Sequence, residues 1–420
     1  MALRMKITRV FLFMYLFFFP VTVSAFPWPS LSTTMFYKSP FTSSPDYGVS
    51  NYNIPQSVKY QVEFNFSLTH KSMINYEYLL KFARLNDKQP NSLLTQFSPP
   101  YQESKLLFSN ITGSNNPPYL LQDKFNNTYD LFNNSLSNNE EITLNQLYNI
   151  TLNEVVFKGI SGAGGVYNVS DKMFELYCNT SELYYERNST DLINESNNIV
   201  GSITDPVLKA EKIYDWVSDY LNYDENLPPQ EKGALWAYNN EKGDCSEYTS
   251  LMVTLLRIQN IPARKVTGFL ISNNPALRPQ VGDEWDFSFT RKDGIETTDI
   301  LGHAWVEYYA PDIGWIACDP TWEGSSTNYF NRNDYLRFHL NVGQWFSIPG
   351  LPDNSEFGNP CVVYEGGSSF DYSYQVKITV LESNLLPLEQ FPFLFLVFVG
   401  IGIAAVLITL ILIIKRKKDY

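Results

Sequence analysis

Two stretches constrain the fold more than any other: Gly243–Arg264 (GDCSEYTSLMVTLLRIQNIPAR) and Gly302–Trp322 (GHAWVEYYAPDIGWIACDPTW). In the first, Tyr248, Leu251, Met252, Leu255 and Leu256 recur at helical spacing, which predicts a helix over about Cys245–Arg257 with one buried stripe. Ile261-Pro262 ends it. In the second, His303–Tyr309 and Trp315–Asp319 read as strands joined by Ala310–Gly314, a hairpin. With its turn centred on Pro311-Asp312, His303 and Asp319 fall opposite each other or one diagonal step apart, with side chains on one face.

That arrangement has a chemical meaning. A cysteine at the start of a helix meets backbone N–H groups and the positive end of the dipole, which favour a thiolate and could bind an oxyanion. Gly243, just before it, would let a substrate approach the backbone closely. A carboxylate beside an imidazole fixes the tautomer and steadies the imidazolium. Cys245, His303 and Asp319 are therefore the candidate nucleophile, base and orienting acid. Each alone has a plainer reading: a buried or disulfide-bonded cysteine, an ordinary strand histidine, a strand-ending Asp-Pro. The joint pattern carries the argument.

The remainder of the 420 residues sets where such a site would work. A 44 % hydrophobic fraction suffices for packed cores, and a net charge of −13 argues against nucleic acid as a partner. Residues 1–25 have the charged, apolar and small-residue order of a signal peptide, with cleavage expected after Ala25. Residues 391–414, uncharged from Phe393 to Ile414, are long enough to cross a bilayer. The basic tail 415–420 that follows belongs in the cytoplasm by the positive-inside rule. The expectation is a single-pass cell-membrane protein with its bulk outside. Sequons at Asn65, Asn110, Asn126, Asn133, Asn149, Asn168, Asn179, Asn188 and Asn194, with none after residue 200, suggest a glycan-bearing N-terminal half. Were Cys245 a free nucleophile, Cys178, Cys318 and Cys361 would allow one disulfide and one spare thiol, with the pairing open.

In chain order, 26–54 reads as an extended lead-in, and period-two runs such as Tyr60–Phe66 make 55–186 an all-β, sandwich-like region. The Asn/Ser-rich 187–202 reads as a linker. A helix then opens at Asp205-Pro206 with Val207, Ala210, Ile213 and Val217 on one face, inside a core spanning 203–345. Within that core, 272–300 reads as a long irregular insertion, the place for a lid or specificity loop. Residues 346–390 hold a last strand, Tyr374–Leu381, and a juxtamembrane segment.

As an ordered set, Gly-x-Cys-x-x-Tyr (243–248), Leu-Leu-Arg with Ile-Pro-Ala-Arg (255–264), Val-Thr-Gly-Phe (266–269), His-Ala-Trp-Val-Glu (303–307) and Asp-Pro-Thr-Trp (319–322) resembles the core of the transglutaminase-like superfamily. The likeness covers about 205–322. It implies an α+β, papain-like fold with the cysteine helix packed on the sheet that carries the other two residues. It also implies a Cys245–His303–Asp319 triad acting on amide bonds of proteins or peptides through a thioester, with water or an amine as acceptor. Trp236 is the candidate oxyanion partner and Trp322 a cleft residue; Trp305 is expected in the core, and Glu307, on the His303 face of its strand by parity, as a solvated or salt-bridged residue. His70 and His339 match no motif. Nothing resembles the carboxylate-rich loops of calcium-dependent members, so no metal or other cofactor is expected. The alternative is a non-catalytic surface glycoprotein using the same core for binding or assembly.

Overall fold

The structure, a computed structural model, describes residues 51–89, 97–114, 117–162, 165–179, 183–227, 231–322, 328–343, 361–363 and 369–386. The signal peptide, most of the lead-in, the 391–414 span and the basic tail lie outside them. Among the described residues no helix is long and apolar enough to cross a membrane.

The half that carries Cys245, His303 and Asp319 is α+β and papain-like. Its sheet runs Gly314–Cys318, Leu301–Ala310, Ala263–Leu270, Arg337–Val342, with antiparallel neighbours throughout. The expected helix is Cys245–Ile258, and its stripe of Leu251, Met252, Leu255 and Leu256 is fully buried together with Val306, Tyr308 and Ile316 of the sheet. Pro206–Tyr220 packs beside it, capped as the sequence implied: the Asp205 carboxylate accepts from the Leu208 N–H at 2.8 Å.

The stretch read as a linker is largely a helix, Thr190–Val200. Only Leu192, Ser196 and Val200 are buried, a stripe one residue wide, so its Asn/Ser-rich composition hides the period. Ser196 Oγ donates to Leu255 O at 2.9 Å, which fastens this helix to the cysteine helix.

The β-sandwich is real but draws on more than 55–186. Its larger sheet runs Ile295–Thr298, Glu284–Lys292, Phe370–Asn384, Ser57–His70, Glu141–Asn153, Gln102–Thr112. The smaller runs Cys361–Val363, Tyr76–Ala83, Thr128–Leu136, Tyr119–Gln122. Ser57–His70 alternates buried and half-buried residues without a break, as a strand with one covered face must. Phe66 and Tyr374 of the larger sheet meet Phe82 of the smaller, with ring centroids 4.7 and 6.3 Å away.

Much of the 272–300 insertion is therefore a hairpin built into the sandwich, not an irregular lid. Asp293 (φ 51°) and Gly294 (φ 80°) make its two-residue turn, with Lys292 paired to Ile295. Trp285, Phe287 and Phe289 alternate with polar neighbours along its first strand.

Buried side chains fasten the sandwich loops to the four-stranded sheet of the papain-like half. Tyr101 Oη donates to Trp315 O and accepts from the Ala317 N–H, both at 2.9 Å. Asn127 bonds both the N–H and the carbonyl of Val342 at 2.8 Å. Gln102 does the same for His339, at 2.9 and 3.1 Å. The described residues up to Ser383 accordingly form one compact unit.

Candidate active site

Cys245 is the first residue of its helix. Asp244 caps it, and a reciprocal capping box joins Asp244 to Glu247. Gly243 serves this cap: a Cβ there would come within 2.3 Å of Glu247 Cβ, so glycine lets the helix start pack against the preceding turn. This close approach is internal to the protein, in contrast to the expected approach to substrate.

The histidine strand runs alongside the start of that helix, and the backbone N–H of Ala304 hydrogen-bonds the Cys245 thiol. The hairpin pairs Val306 with Cys318. His303 and Asp319 thus stand one diagonal step apart, and His303 Nε2 meets Asp319 Oδ2 at 2.7 Å with both residues buried. With Nε2 engaged, Nδ1 is the ring nitrogen left for a proton transfer.

Asp319 is fully satisfied. Oδ1 accepts from the Thr321 N–H (3.2 Å) and Oγ1 (2.6 Å), and Oδ2 accepts from Arg337 Nη2 (2.8 Å) as well as from His303. Burial alone would raise its pKa. The charge and hydrogen bond of His303, then Arg337 and Thr321, outweigh burial and hold the carboxyl well below its usual range.

The thiol moves the other way. Burial and the neighbouring Asp244 carboxylate push Cys245 well above an ordinary cysteine, against smaller downward pulls from the Ala304 N–H and Lys265. The expected help from the helix terminus is small because Asp244 has already claimed the N–H groups of Ser246 and Glu247. Lys265 is itself neutralised by Glu231 at 2.7 Å. Glu247 is pushed upward by burial and by the Asp244 carboxylate, against the backbone N–H bonds of Lys232 and Asp244.

Trp322 lies beside the site, its ring 6.1 Å from His303 and half-buried. Trp305 is buried and stacks on His303 at 6.0 Å. Glu307 is a buried ion-pair partner of Arg264, at 2.6 Å. Trp236 sits half-buried in the short helix Ala234–Asn240, and its carbonyl accepts from Asn240 Nδ2 at 2.8 Å; among the described residues no bond ties its indole to the triad. His70 is a satisfied core residue between Tyr78 Oη and Ile74 O, both at 2.7 Å. Cys178 and Cys318 are buried free thiols. Among the described residues no group of His, Cys, Asp or Glu could hold a metal ion. Of the sequon asparagines, Asn110, Asn126, Asn168, Asn188 and Asn194 are exposed, and Asn65, Asn133 and Asn149 half-buried; the Asn179 side chain is outside the described set.

The residue that sequence reasoning missed is Arg337. No spacing announces it: it lies in Asp-Tyr-Leu-Arg, within aromatic-rich sequence without a clear period.

Residues 194–320 match the sequence model of the family described as the transglutaminase-like superfamily. A protein-glutamine gamma-glutamyltransferase of Pseudomonas aeruginosa is 32 % identical over 87 residues, 20 % of this chain and 11 % of that protein. The uncharacterized protein YebA of Bacillus subtilis is 31 % identical over 98 residues, 23 % of this chain and 12 % of the relative. The matched segments are thus about a tenth of each relative's length. A crystal structure from Cytophaga hutchinsonii, titled as a candidate cysteine protease, aligns over 80 % of this chain and 95 % of its own at 15 % identity, with a TM-score of 0.48. Residues 194–320, which include Cys245, His303 and Asp319, are thus a transglutaminase-like domain within the chain.

Proposed function

We propose that the protein is a cysteine enzyme acting on amide bonds of proteins or peptides, with Cys245 as nucleophile, His303 as base and acid, and Asp319 orienting His303. One observation carries this reading: the buried 2.7 Å His303–Asp319 bond stands next to the Ala304 N–H that binds the Cys245 sulfur. The resting thiol is protonated, so attack begins with its proton passing to His303 Nδ1 as the Cys245 Sγ–carbon bond forms. His303 then gives that proton to the departing amine, the C–N bond breaks, and a thioester remains. Water or a second amine, deprotonated by His303, releases the acyl group and restores the thiol. The gamma-glutamyltransferase among the relatives supports the amine as acceptor, and hydrolysis uses the same steps.

The site acts outside the cell in this proposal, delivered by the 1–25 signal peptide and held by the 391–414 span, with glycans on the N-terminal half. Protease protection and glycosidase shifts of the expressed protein check that topology. The activity test compares dansyl-amine incorporation and peptide hydrolysis by wild type, Cys245→Ala and His303→Ala. Loss of both activities in both variants is expected; activity that survives Cys245→Ala refutes the reading. A binding or assembly role for the same core is favoured by one observation, the 3 % exposure of Cys245. It predicts that iodoacetamide does not label Cys245 in the folded protein.

A further inference from the structure

The triad is backed by a second set of buried groups that lies wholly beyond the 194–320 family match. Arg337, on the edge strand Arg337–Val342, is 1 % exposed. Its Nη2 donates to Asp319 Oδ2 at 2.8 Å, the same oxygen that His303 Nε2 bonds at 2.7 Å. Its Nη1 donates to Asp334 Oδ2, and that oxygen also accepts from Tyr329 Oη at 2.6 Å. The guanidinium lies against the rings of Trp322 (4.5 Å) and Tyr329 (4.3 Å), which meet edge to face 5.2 Å apart and cover it from one side. Asp334 is in turn held by its bond from the Leu336 N–H at 2.9 Å. Every freedom of the Asp319 carboxylate is thereby removed from behind.

We propose that Arg337 is a positioning residue of the active site: it fixes the Asp319 oxygen that orients His303 and weakens that oxygen's pull on the imidazole proton. This rests on the cysteine-enzyme reading above. A carboxylate with no other partner would hold the imidazolium strongly and leave His303 a poor proton acceptor at neutral pH. Sharing Oδ2 with a permanent cation reduces that hold. A lysine could not reproduce the geometry, because only the guanidinium fork bonds Asp319 and Asp334 together in one plane.

Among the described residues, the charged and titratable groups around His303 include the Tyr223 hydroxyl, which faces both Cys245 and Asp319. Asp319 and, behind it, Arg337, Asp334 and Tyr329 lie on one side; Cys245, Asp244 and Glu247 lie at the helix start, with Lys265 and Glu231 beyond them. His339 lies past Trp305, its ring 4.8 Å from the indole, and burial holds it neutral. Of these, Arg337 and Asp334 can be changed without touching the reacting atoms.

The test is the pH dependence of Cys245 alkylation by iodoacetamide in the full-length protein, read by mass spectrometry, with thermal melting alongside. In the wild type the rate should rise on an acid limb set by His303, and His303→Ala should remove the limb. If His303→Ala keeps the limb, the cysteine-enzyme reading fails before Arg337 is tested. Given the limb, Arg337→Met should move it up by about one pH unit, the shift expected when a cation beside the orienting carboxylate is lost. Asp334→Asn should move it down, since an anion is lost and the arginine is left to Asp319 alone. Arg337→Lys should leave the limb near its wild-type position with the plateau lowered about tenfold. A lower melting temperature with an unmoved limb in Arg337→Met would make the arginine merely structural and overturn the proposal. If that variant does not fold, the Asp334→Asn and Arg337→Lys pair decides: a downward limb and a lowered plateau sustain the proposal, and wild-type profiles in both overturn it.

Discussion

Replacing Lys88 by methionine should stabilise the protein, and by an amount that depends on pH in a defined direction. Lys88 lies between the strands Tyr76–Ala83 and Gln102–Thr112, its residue is 1 % exposed, and among the described residues no hydrogen-bond partner meets its ammonium. Burial lowers its pKa from 10.5 to about 7, with Glu307 and Asp123 pulling upward and Arg264 downward. In the unfolded chain the same lysine titrates at its ordinary value. Between those two values the unfolded state binds the extra proton, so folding is penalised. The penalty is fully present below the folded pKa and fades as pH rises towards 10.5. At 1.36 kcal/mol per unit, the displacement corresponds to about 5 kcal/mol at pH 6 and about 3 kcal/mol at pH 8.5. Methionine matches the lysine stem in length and carries no charge. The Lys88→Met protein should therefore exceed wild type by up to those amounts, with the gain shrinking as pH rises. Urea unfolding followed by tryptophan fluorescence at pH 6, 7.5 and 9 measures it. A gain that is absent at pH 6, or that grows with pH, would show that the buried ammonium has a partner of its own and would refute the reasoning.

Asp319→Asn should leave His303 in the wrong tautomer and slow Cys245 alkylation by about 10²–10⁴-fold, read by mass spectrometry. Because the folded state holds this carboxyl below its unfolded value of 3.8, its contribution to stability is present above that pH and lost as the pH falls through and below it; urea midpoints of Asp319→Asn should accordingly vary less with pH in acid than those of wild type. Tyr101→Phe leaves the buried Ala317 N–H and Trp315 carbonyl without their shared hydroxyl and should cost about 2–4 kcal/mol in urea unfolding. Gly243→Ala forces a methyl against Glu247 Cβ, costing about 1–3 kcal/mol and slowing alkylation as the helix start shifts.

What could be read in the sequence was whatever a local period encodes. The cysteine helix shows its stripe within fourteen residues, and the catalytic hairpin carries its own turn, so His303 and Asp319 could be placed as neighbours before any coordinate. The turn that closes the Asp293-Gly294 hairpin was equally local, but its strand partner is not. Glu284–Lys292 pairs with Phe370–Asn384, with three strands of the neighbouring four-stranded sheet between them in sequence, so the insertion reads as loose because its fold depends on distant residues. Thr190–Val200 was hidden for the opposite reason, because its buried stripe includes a serine. Arg337 was illegible in principle: its meaning lies in an ion pair with Asp319 formed by the return of the chain to the sheet edge, and no spacing predicts that return. The thiol's upward shift was equally hidden, since the capping carboxylate that opposes the thiolate is read from sequence as an ordinary N-cap.

These failures share one cause, and it bears on how the site is built. The family match ends at residue 320, directly after Asp319, yet the Asp319 carboxylate depends on Arg337, and Arg337 depends on Asp334 and Tyr329. The strand that carries Arg337 is in turn gripped from the sandwich, at His339 by Gln102 and at Val342 by Asn127. Tyr101, adjacent to Gln102, holds the strand that delivers Asp319. Two neighbouring sandwich residues therefore brace the orienting acid from both strands that reach it. The position of Asp319 is a joint product of the transglutaminase-like core and the β-sheet region packed on it, so substitutions at Tyr101 and Gln102 should reach Cys245 through His303.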